Sequence, residues 1–391
     1  MKNNITIDEL LSRGVENIYP SAQEFEKVLN SKKITIYHGI DPTADTLHLG
    51  HMVQFLKLKR FQELGHKVII LIGDFTAQIG DPTDKSSARQ PLSHKQVLQN
   101  AKNYKKQIGR FLDLKKIQIK YNSKWLGKLT FADTLKLASH FTAQQTLARD
   151  MFKKRTEESK DLYLHELLYP LMQAYDSVAM DVDAEMGGND QMFNMLAGRT
   201  LMKKLKHKEK FVLTTKLLVD SQGVKMGKTQ GNMAKLSDTP DDMFGKIMSM
   251  PDGFILPAFE LLTEAPMAEV EKYKTEMQSG RNPKEIKMIV AFHITELNFG
   301  KKVACDARES FISVHQNKEV PQEMEEIHAA SKNILDILVQ ARLASSKSEA
   351  KRIIAQKGVK VDGEIVGSED FEIIKNCIIQ RGKRLFVKII V

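Results

Sequence analysis

The amino-acid sequence predicts an α/β protein with a Rossmann-like parallel-sheet domain, then an α-helical domain and a small α+β domain. Apolar runs at 34–40 and 67–73 are typical of buried strands, and a helical pattern from His48 to about Leu64 lies between them. Strand, helix and strand with tight connections form a βαβ unit, which implies a parallel sheet covered by helices. A length of 391 residues exceeds what one core usually organises, so two or three domains are expected.

The first domain, predicted over 1–232, begins with two short helices. Thr6-Ile-Asp-Glu9 and Ser21-Ala-Gln-Glu24 are capping-box patterns, and apolar residues at helical spacing follow each of them. The later elements are a helical stretch at 130–180, a helix ending near 205 and a strand at 211–219.

The second domain, predicted over 233–330, is mostly helical as far as Ala329. The third, predicted over 331–391, begins with a helix at 333–341 and continues with a second helix that Ser346 caps. A strand, a two-residue turn and another strand follow it. The chain is therefore expected to end in a small α+β module.

Composition restricts the class of protein. The net charge of +10 favours a polyanionic partner such as nucleic acid, although a lysine-rich solvated surface explains the charge equally well. The longest apolar run, Val68 to Ile72, is too short to cross a membrane. Two cysteines without CxxC spacing predict a reducing, cytoplasmic setting and no structural zinc.

The start of the first predicted βαβ helix carries the first chemical signal. His48 and His51 lie three residues apart and share one face of the first turn, with Gly50 between them. Backbone N–H groups at a helix N-terminus attract phosphate, and two imidazoles there can donate further hydrogen bonds. A nucleotide site is predicted. A metal half-site or two surface histidines remain alternatives, but the glutamate of a zinc-hydrolase motif is missing.

A second signal is the glycine-containing lysine segment Lys225-Met226-Gly227-Lys228-Thr229. Lysines on a mobile loop can close over a pyrophosphate as point charges. The preceding Gly223 suggests a Walker loop, but only three residues separate the two glycines where that loop requires four. A flexible lysine-rich turn is the other alternative.

A third signal lies in the helical stretch before position 180. Tyr169, Gln173 and Asp176 have i, i+4 and i+7 spacing, which places them on one face of a helix among apolar neighbours. A polar stripe in an apolar wall suits a ligand with an ammonium and a hydroxyl group. The alternative is that this face points to solvent.

Together these segments resemble a known family. His48-Leu49-Gly50-His51 is similar to the "HIGH" motif of class I aminoacyl-tRNA synthetases, and the lysine segment resembles their "KMSKS" loop. The Tyr-x-x-x-Gln-x-x-Asp pattern resembles a helix of the bacterial tyrosyl-tRNA synthetases. This sequence departs from the family at five positions. Leu49 replaces isoleucine in the first motif, and Gly227 and Thr229 replace the two serines of the second. Near the expected ribose site, His38 stands where some relatives have cysteine, and Asn189 replaces serine.

The resemblance implies a role for each site residue. Tyr37 and Asp176 would bind the phenol of tyrosine, and the other tyrosine contacts would be Asp81, Asn122, Tyr169, Gln173 and Gln191. The ATP contacts would be Gly39, Asp41, Gly50, Gly188, Asp190 and Lys228. The catalytic group would comprise Thr43, His48, His51, Lys225 and Lys228.

The same resemblance implies the partners. ATP and L-tyrosine would form tyrosyl-adenylate, and the tyrosine would then pass to tRNA(Tyr), within a homodimer. Mg²⁺ is expected on the ATP phosphates, with no tightly bound protein metal site. The last domain resembles the ribosomal protein S-four-like RNA-binding domain, with Arg342, Lys347, Lys351 and Arg352 on its basic face. A charged appendage without an RNA role is the alternative.

Three other functions compete with this interpretation. The tryptophanyl synthetase shares both signatures, but Asp81, Asp176 and the last domain argue against it. A small-molecule nucleotidyltransferase would need neither of the two later domains. A non-catalytic RNA-binding relative would be expected to have lost one of His48, His51, Lys225 or Lys228, and all four are present.

Overall fold

The computed structural model describes residues 6–82, 92–147, 150–219, 234–316, 324–382 and 385–391. It divides into a first unit, 1–304, and a second unit, 305–391. The domain boundaries predicted after residues 232 and 330 stay predictions.

A six-stranded sheet organises the first unit, in the order β1-β6-β5-β2-β3-β4. Its strands are β1 (Val15–Tyr19), β2 (Thr35–Ile40), β3 (Lys67–Ile72), β4 (Ile117–Tyr121), β5 (Ala184–Gly188) and β6 (Phe211–Thr215). Strand β2 pairs with β3 in parallel, which confirms the predicted βαβ unit. β1 is antiparallel to β6, and the remaining neighbours are parallel.

The helices of the first unit, in chain order, are α1 (Ile7–Ser12), α2 (Ala22–Ser31), α3 (Leu49–Glu63), α4 (Thr76–Ile79), α5 (His94–Ala101), α6 (Tyr104–Ile108), α7 (Ser123–Leu126), α8 (Phe131–Ala138), α9 (Ala143–Leu147), α10 (Asp150–Glu157), α11 (Leu164–Met180), α12 (Met192–Lys206), α13 (Pro240–Met248), α14 (Ile255–Leu262), α15 (Met267–Gln278) and α16 (Pro283–Phe299). Helix α17 (Lys301–Gln316) spans the boundary between the units. The Thr6 and Ser21 side chains accept from the N–H groups of Glu9 and Glu24, so both predicted N-caps are confirmed.

The order of the strands reverses between β2 and β5. From β2 the chain proceeds through β3 to β4 on one side, and β5 then returns to pair with β2 on the other. Ligands of such sheets bind beyond the carboxyl ends of the strands at this switch point. The buried strands β2 and β3 hold that edge in place, with Ile36 and Ile70 both fully buried.

The second unit contains a five-stranded sheet and two further helices. The sheet has the order β7-β11-β10-β8-β9, with strands β7 (Glu325–His328), β8 (Val359–Val361), β9 (Glu364–Ile365), β10 (Cys377–Arg381) and β11 (Leu385–Ile390). Helices α18 (Ile334–Gln340) and α19 (Lys347–Ala355) confirm the two predicted helices, and Ser346 caps the second of them as predicted. The predicted strand-turn-strand is also confirmed.

One prediction in this region is wrong. Residues 325–328 were expected to end the helical stretch, but they form strand β7. The strand pairs in parallel with β11, whose residues lie about sixty positions later in the chain. Local spacing does not contain that information, so a tertiary pairing decided the structure of the segment.

Among the residues that the structure describes, no helix has the length and apolar character needed to cross a membrane.

Candidate active site

A cavity of about 310 Å³ opens at the carboxyl edge of the first sheet, at the switch point between β2 and β5. Fifteen of the predicted tyrosine, ATP and catalytic residues line it: Tyr37, Gly39, Asp41, Thr43, His48, Gly50, His51, Asp81, Asn122, Tyr169, Gln173, Asp176, Gly188, Asp190 and Gln191. Lys225 and Lys228 lie outside the described residues. The structure therefore brings together every predicted residue of this group that it describes.

The two histidines form the cap of helix α3. Nδ1 of His48 accepts from the Gly50 N–H at 3.1 Å, and Nδ1 of His51 accepts from the His48 N–H at 3.2 Å. Each neutral ring therefore carries its proton on Nε2, where it is a donor. The ring centroids are 4.0 Å apart, so the two donors lie close to each other at the helix N-terminus. This arrangement suits a polyanion.

Gly50 has a packing reason that the sequence did not reveal. A Cβ at this position would lie 2.9 Å from Cε1 of His48. The absence of a side chain at position 50 therefore leaves room for the His48 ring. This room lets the ring accept from the Gly50 N–H at the start of the helix.

The Asp41 carboxylate connects β2 to helix α11. One oxygen accepts from the Tyr169 hydroxyl at 2.9 Å and the other from the Thr76 hydroxyl at 2.7 Å. A Cβ on Gly73 would lie 2.0 Å from that carboxylate, so the glycine opens its seat. The structure thus joins Asp41, predicted to contact ATP, to Tyr169, predicted to contact the amino acid. Burial, and then the charges of Asp41 and Asp81, raise the pKa of Tyr169 well above its ordinary value.

Asp176 lies deep in the cavity, 2% exposed. Its carboxylate accepts from the Trp125 indole at 2.6 Å and from the Asn122 amide at 3.2 Å. Burial raises the pKa of Asp176 well above its ordinary value, and these two donors act against that shift. These two donors hold the carboxylate in a fixed orientation.

A group of four buried side chains lies beside Asp176: Tyr37, Ser177, Glu185 and Lys210. The Tyr37 hydroxyl is 3.0 Å from Oγ of Ser177, and the Lys210 ammonium contacts both Ser177 and Glu185. Glu185 also accepts from the Gln173 amide at 2.9 Å. Burial, and then the charges of Glu185 and Asp176, raise the pKa of Tyr37 well above its ordinary value, so its phenol stays protonated.

The other end of β5 presents the Gly-Gly-Asn-Asp-Gln segment. The Gln191 amide donates to Asp81 at 2.6 Å and accepts from Asn194 at 3.0 Å. A Cβ on Gly188 would lie 2.6 Å from the Asp190 carboxylate. The glycine thus allows Asp190 to fold back towards the strand end that lines the cavity.

The predicted RNA-binding residues lie in the second unit. Lys347, Lys351 and Arg352 belong to α19, and Arg342 follows α18 with a φ of 54°. Lys347 pairs with Asp336, and Lys351 pairs with Glu369 at 2.8 Å, in exposed ion pairs.

Sequence reasoning missed five residues of the site: Thr76, Trp125, Ser177, Glu185 and Lys210. The signals that could have found them were weak. Trp125 is the only tryptophan of the chain, and Glu185 is a charge shortly before a Gly-Gly pair. Strand β5 was also missed, because Glu185, Gly187 and Gly188 are residue types that rarely occur in strands.

Within the described ranges, no group of three or more His, Cys, Asp or Glu side chains could hold a metal ion.

Comparison with known proteins extends over most of the chain. Residues 29–316 match the family model "tRNA synthetases class I (W and Y)", and residues 334–373 match the model of the S4 domain. The tyrosine–tRNA ligase of Thermotoga maritima is 40% identical over 97% of this chain and 96% of its own length. That of Carboxydothermus hydrogenoformans is 43% identical, with 98% and 97% covered.

Solved structures agree with the fold. A C-terminally truncated mitochondrial tyrosyl-tRNA synthetase of Aspergillus nidulans has a TM-score of 0.65 at 22% identity, covering 80% of this chain and 94% of its own. A tyrosyl-tRNA synthetase of Archaeoglobus fulgidus, complexed with L-tyrosine, has a TM-score of 0.61 at 24% identity, covering 78% and 100%.

Proposed function

The chain belongs to the class I tRNA synthetases of the tryptophan and tyrosine group, and we propose that it catalyses the two-step attachment of tyrosine to tRNA(Tyr). The observation that carries this choice of amino acid is the buried Asp176 carboxylate beside the protonated phenol of Tyr37. A buried acceptor and a buried donor at one end of the cavity match a substrate phenol.

The phenol end would select tyrosine against phenylalanine. Asp176 would accept from the substrate hydroxyl, and Tyr37 would donate to it. Phenylalanine would leave both buried groups without their partner, and sites of this kind reject such an analogue strongly. Tyrosyl-tRNA synthetases are themselves the standard example, with a known discrimination of about 10⁵ against phenylalanine. Trp125 and Asn122 support the proposal, since they orient the acceptor before the ligand arrives.

The α-amino end would lie along Asp81, Tyr169 and Gln173. Asp41 joins this group in our proposal, because its carboxylate is bonded to the Tyr169 hydroxyl. Carboxylates beside neutral acceptors suit an ammonium group. Asn122 supports the same region through Thr76, and Gln191 would contact the carboxylate end of tyrosine.

ATP would bind at the start of α3 and the end of β5. The Nε2–H groups of His48 and His51 would donate to the phosphates, with Thr43 and the lysines Lys225 and Lys228 adding donors as charge moves to pyrophosphate. Gly50 would lie against the adenine. The ribose would lie near Gly39, Gly188 and Asp190, and a Cβ on Gly39 would meet nothing within 4 Å.

His38 would add a contact to the ribose. Its Nδ1 is 2.9 Å from the Met186 carbonyl, and burial lowers its pKa, so the ring is neutral with the proton on Nδ1. Its buried Nε2 has no hydrogen-bond partner among the described residues. A ribose hydroxyl would satisfy it.

The reaction would then need mainly positioning and charge stabilisation. A carboxylate oxygen of tyrosine attacks the α-phosphorus of ATP, the bond to the bridging oxygen breaks, and pyrophosphate leaves. A ribose hydroxyl at the 3′ end of the tRNA then attacks the carbonyl carbon, and AMP leaves. Mg²⁺ would enter with the ATP phosphates.

The second unit would bind tRNA through Arg342, Lys347, Lys351 and Arg352. Exposed cations contact phosphates without reading sequence. We further propose a homodimer, supported by large exposed apolar side chains on α8 and at the start of α11: Phe131, Leu135 and Leu164, which are 79%, 56% and 79% exposed. The proposed place of action is the cytoplasm, where tRNA is charged.

Amino-acid-dependent exchange of pyrophosphate into ATP tests the proposal. Tyrosine should support exchange, and phenylalanine and tryptophan should not. Exchange with tryptophan but not with tyrosine would assign the chain to the other branch of its family. Exchange with neither amino acid would overturn the proposed reaction.

A further inference from the structure

A buried ion pair lies beneath the cavity, and the proposed reaction does not use it directly. The Lys210 side chain is 0% exposed and that of Glu185 is 2% exposed. Glu185 lines the cavity, whereas Lys210 lies behind it, immediately before β6. Burying an ammonium is costly unless a charge partner and hydrogen bonds compensate it.

Helix α12 makes room for this lysine. A Cβ on Gly198 would lie 2.4 Å from the Lys210 Nζ and 2.9 Å from Oγ of Ser177. A glycine inside a helix costs stability relative to alanine. A glycine is nevertheless present at position 198, where any side chain would clash with the Lys210 ammonium.

The ammonium is connected to both ends of the proposed tyrosine site. Nζ of Lys210 donates to Oγ of Ser177 at 2.9 Å, and Oγ of Ser177 is 3.0 Å from the Tyr37 hydroxyl. On the other side, the paired Glu185 accepts from the Gln173 amide at 2.9 Å. One cation thus orients a residue of the phenol end and a residue of the ammonium end.

Charge gives Lys210 a second effect. The charged groups that influence Asp176 are Glu185 on β5, Asp41 after β2 and Lys210 before β6. Two titratable neighbours, Tyr37 on β2 and Tyr169 on α11, stay neutral. Lys210 is the cation in this group of described residues, so it offsets the carboxylates around Asp176. Burial lowers the pKa of the Lys210 ammonium, and the adjacent Glu185 opposes that shift.

We propose that Lys210 is a positioning residue for the choice of amino acid, holding Glu185 and Ser177 so that Gln173 and Tyr37 meet the substrate. The proposal rests on the proposed function. It assigns to a residue behind the cavity a share of the preference for tyrosine over phenylalanine.

The test measures pyrophosphate exchange by the full-length protein and its Lys210→Met variant, with active sites counted by adenylate burst. The KM for tyrosine should rise about tenfold and the preference for tyrosine over phenylalanine should fall about tenfold, because one charged hydrogen-bond network is lost. The KM for ATP should change by less than about twofold, since the phosphate contacts lie elsewhere.

The pH profile provides a readout that a purely structural role would not change. Without Lys210, the acid limb of kcat/KM for tyrosine should move to higher pH, because Asp176 would lose a nearby cation that favours its ionised form. Lys57→Met is the matched control. It removes another buried lysine, which donates to the Leu10 carbonyl away from the cavity, and it should leave the KM for tyrosine unchanged.

Ser177→Ala keeps the test decisive if Lys210→Met does not fold. It breaks the link from Lys210 to Tyr37 while leaving the ion pair, and the preference for tyrosine should fall about threefold. An unchanged preference in either folded variant overturns the proposal. Absence of tyrosine-dependent exchange in the unmodified protein would instead overturn the proposed function.

Discussion

The ion pair behind the cavity and the ion pairs of helix α19 differ in how far they are exposed to solvent. Lys210 in the first unit is 0% exposed and pairs with Glu185, whereas Lys347 and Lys351 in the second unit are 64% and 54% exposed. All three lysines have a carboxylate partner. Burial is what separates them.

Burial decides whether a pair can be exchanged for a ligand. An exposed pair contributes about 0 to 1 kcal/mol, so an external phosphate can replace its carboxylate at little cost. Breaking a buried pair by removing one partner costs about 3 to 5 kcal/mol. In the proposed function, the fixed charges of the cavity would define one small ligand, and the replaceable charges of α19 would suit a polyanion.

The largest effect is expected for Asp176→Ala. The variant should lower kcat/KM for tyrosine in pyrophosphate exchange by about 10²-fold, because a hydrogen bond to a buried charged group is worth about 1.5 to 3 kcal/mol. Glu271→Ala, which removes an exposed carboxylate of α15, is the control and should have no effect. A normal rate in Asp176→Ala would mean that the fixed charge does not define the ligand.

Ending the chain at Ala330 tests the other side of the comparison. The proposed phosphate contacts of the second unit would be lost, so kcat/KM for tRNA should fall by about 10²-fold. Tyrosine-dependent pyrophosphate exchange should continue, because the cavity lies within the first unit. Full charging activity in the shortened chain would contradict the assignment of the basic residues.

Single exposed lysines should have smaller effects that depend on salt. Lys351→Gln should raise the KM for tRNA about threefold at low salt. The slope of log KM against log salt concentration should fall by about one, the value of a single phosphate contact. The control is Lys274→Gln on α15, another exposed paired lysine, which should change neither. A salt dependence that stays the same in Lys351→Gln would exclude a phosphate contact there.

The smallest effect concerns stability and pH. His66 is 4% exposed, and its Nδ1 accepts from the Ile34 N–H at 3.3 Å. Burial, with a smaller contribution from Lys33, lowers its pKa to about 4. Between pH 6.5 and 4 the unfolded chain binds the proton and the folded chain does not, so acidification should lower the free energy of unfolding, by about 1 to 2 kcal/mol.

Denaturation of His66→Gln across this pH range isolates that contribution. The variant should lose less stability on acidification than the unmodified protein. His328→Gln, at an exposed position of the second unit, should behave like the unmodified protein. Equal acid sensitivity in all three proteins would show that the buried histidine does not titrate as its surroundings indicate.

Local patterns account for the parts of the fold and of the site that could be predicted. The caps at Thr6, Ser21 and Ser346, and the helical stripe of Tyr169, Gln173 and Asp176, each need only a few consecutive residues, and the β2–α3–β3 unit needs one unbroken segment. Their periodicity and capping chemistry are contained in the segment itself. The domain boundaries and the roles of the site residues stay predictions.

Short stretches of sequence are therefore enough to predict the parallel βαβ unit, the start of α3 at its two histidines and the polar stripe of α11. The partners of these residues follow from long-range packing: Trp125 donates to Asp176 across 51 positions, and Lys210 donates to Glu185 across 25. Whether Lys210 is a solvated surface charge or a buried one depends on how Gly198 of α12 and Ser177 of α11 pack around it. Capping and helical hydrogen bonds form between residues that are close in sequence, so the local sequence predicts them. The burial of a side chain depends instead on which segments pack around it.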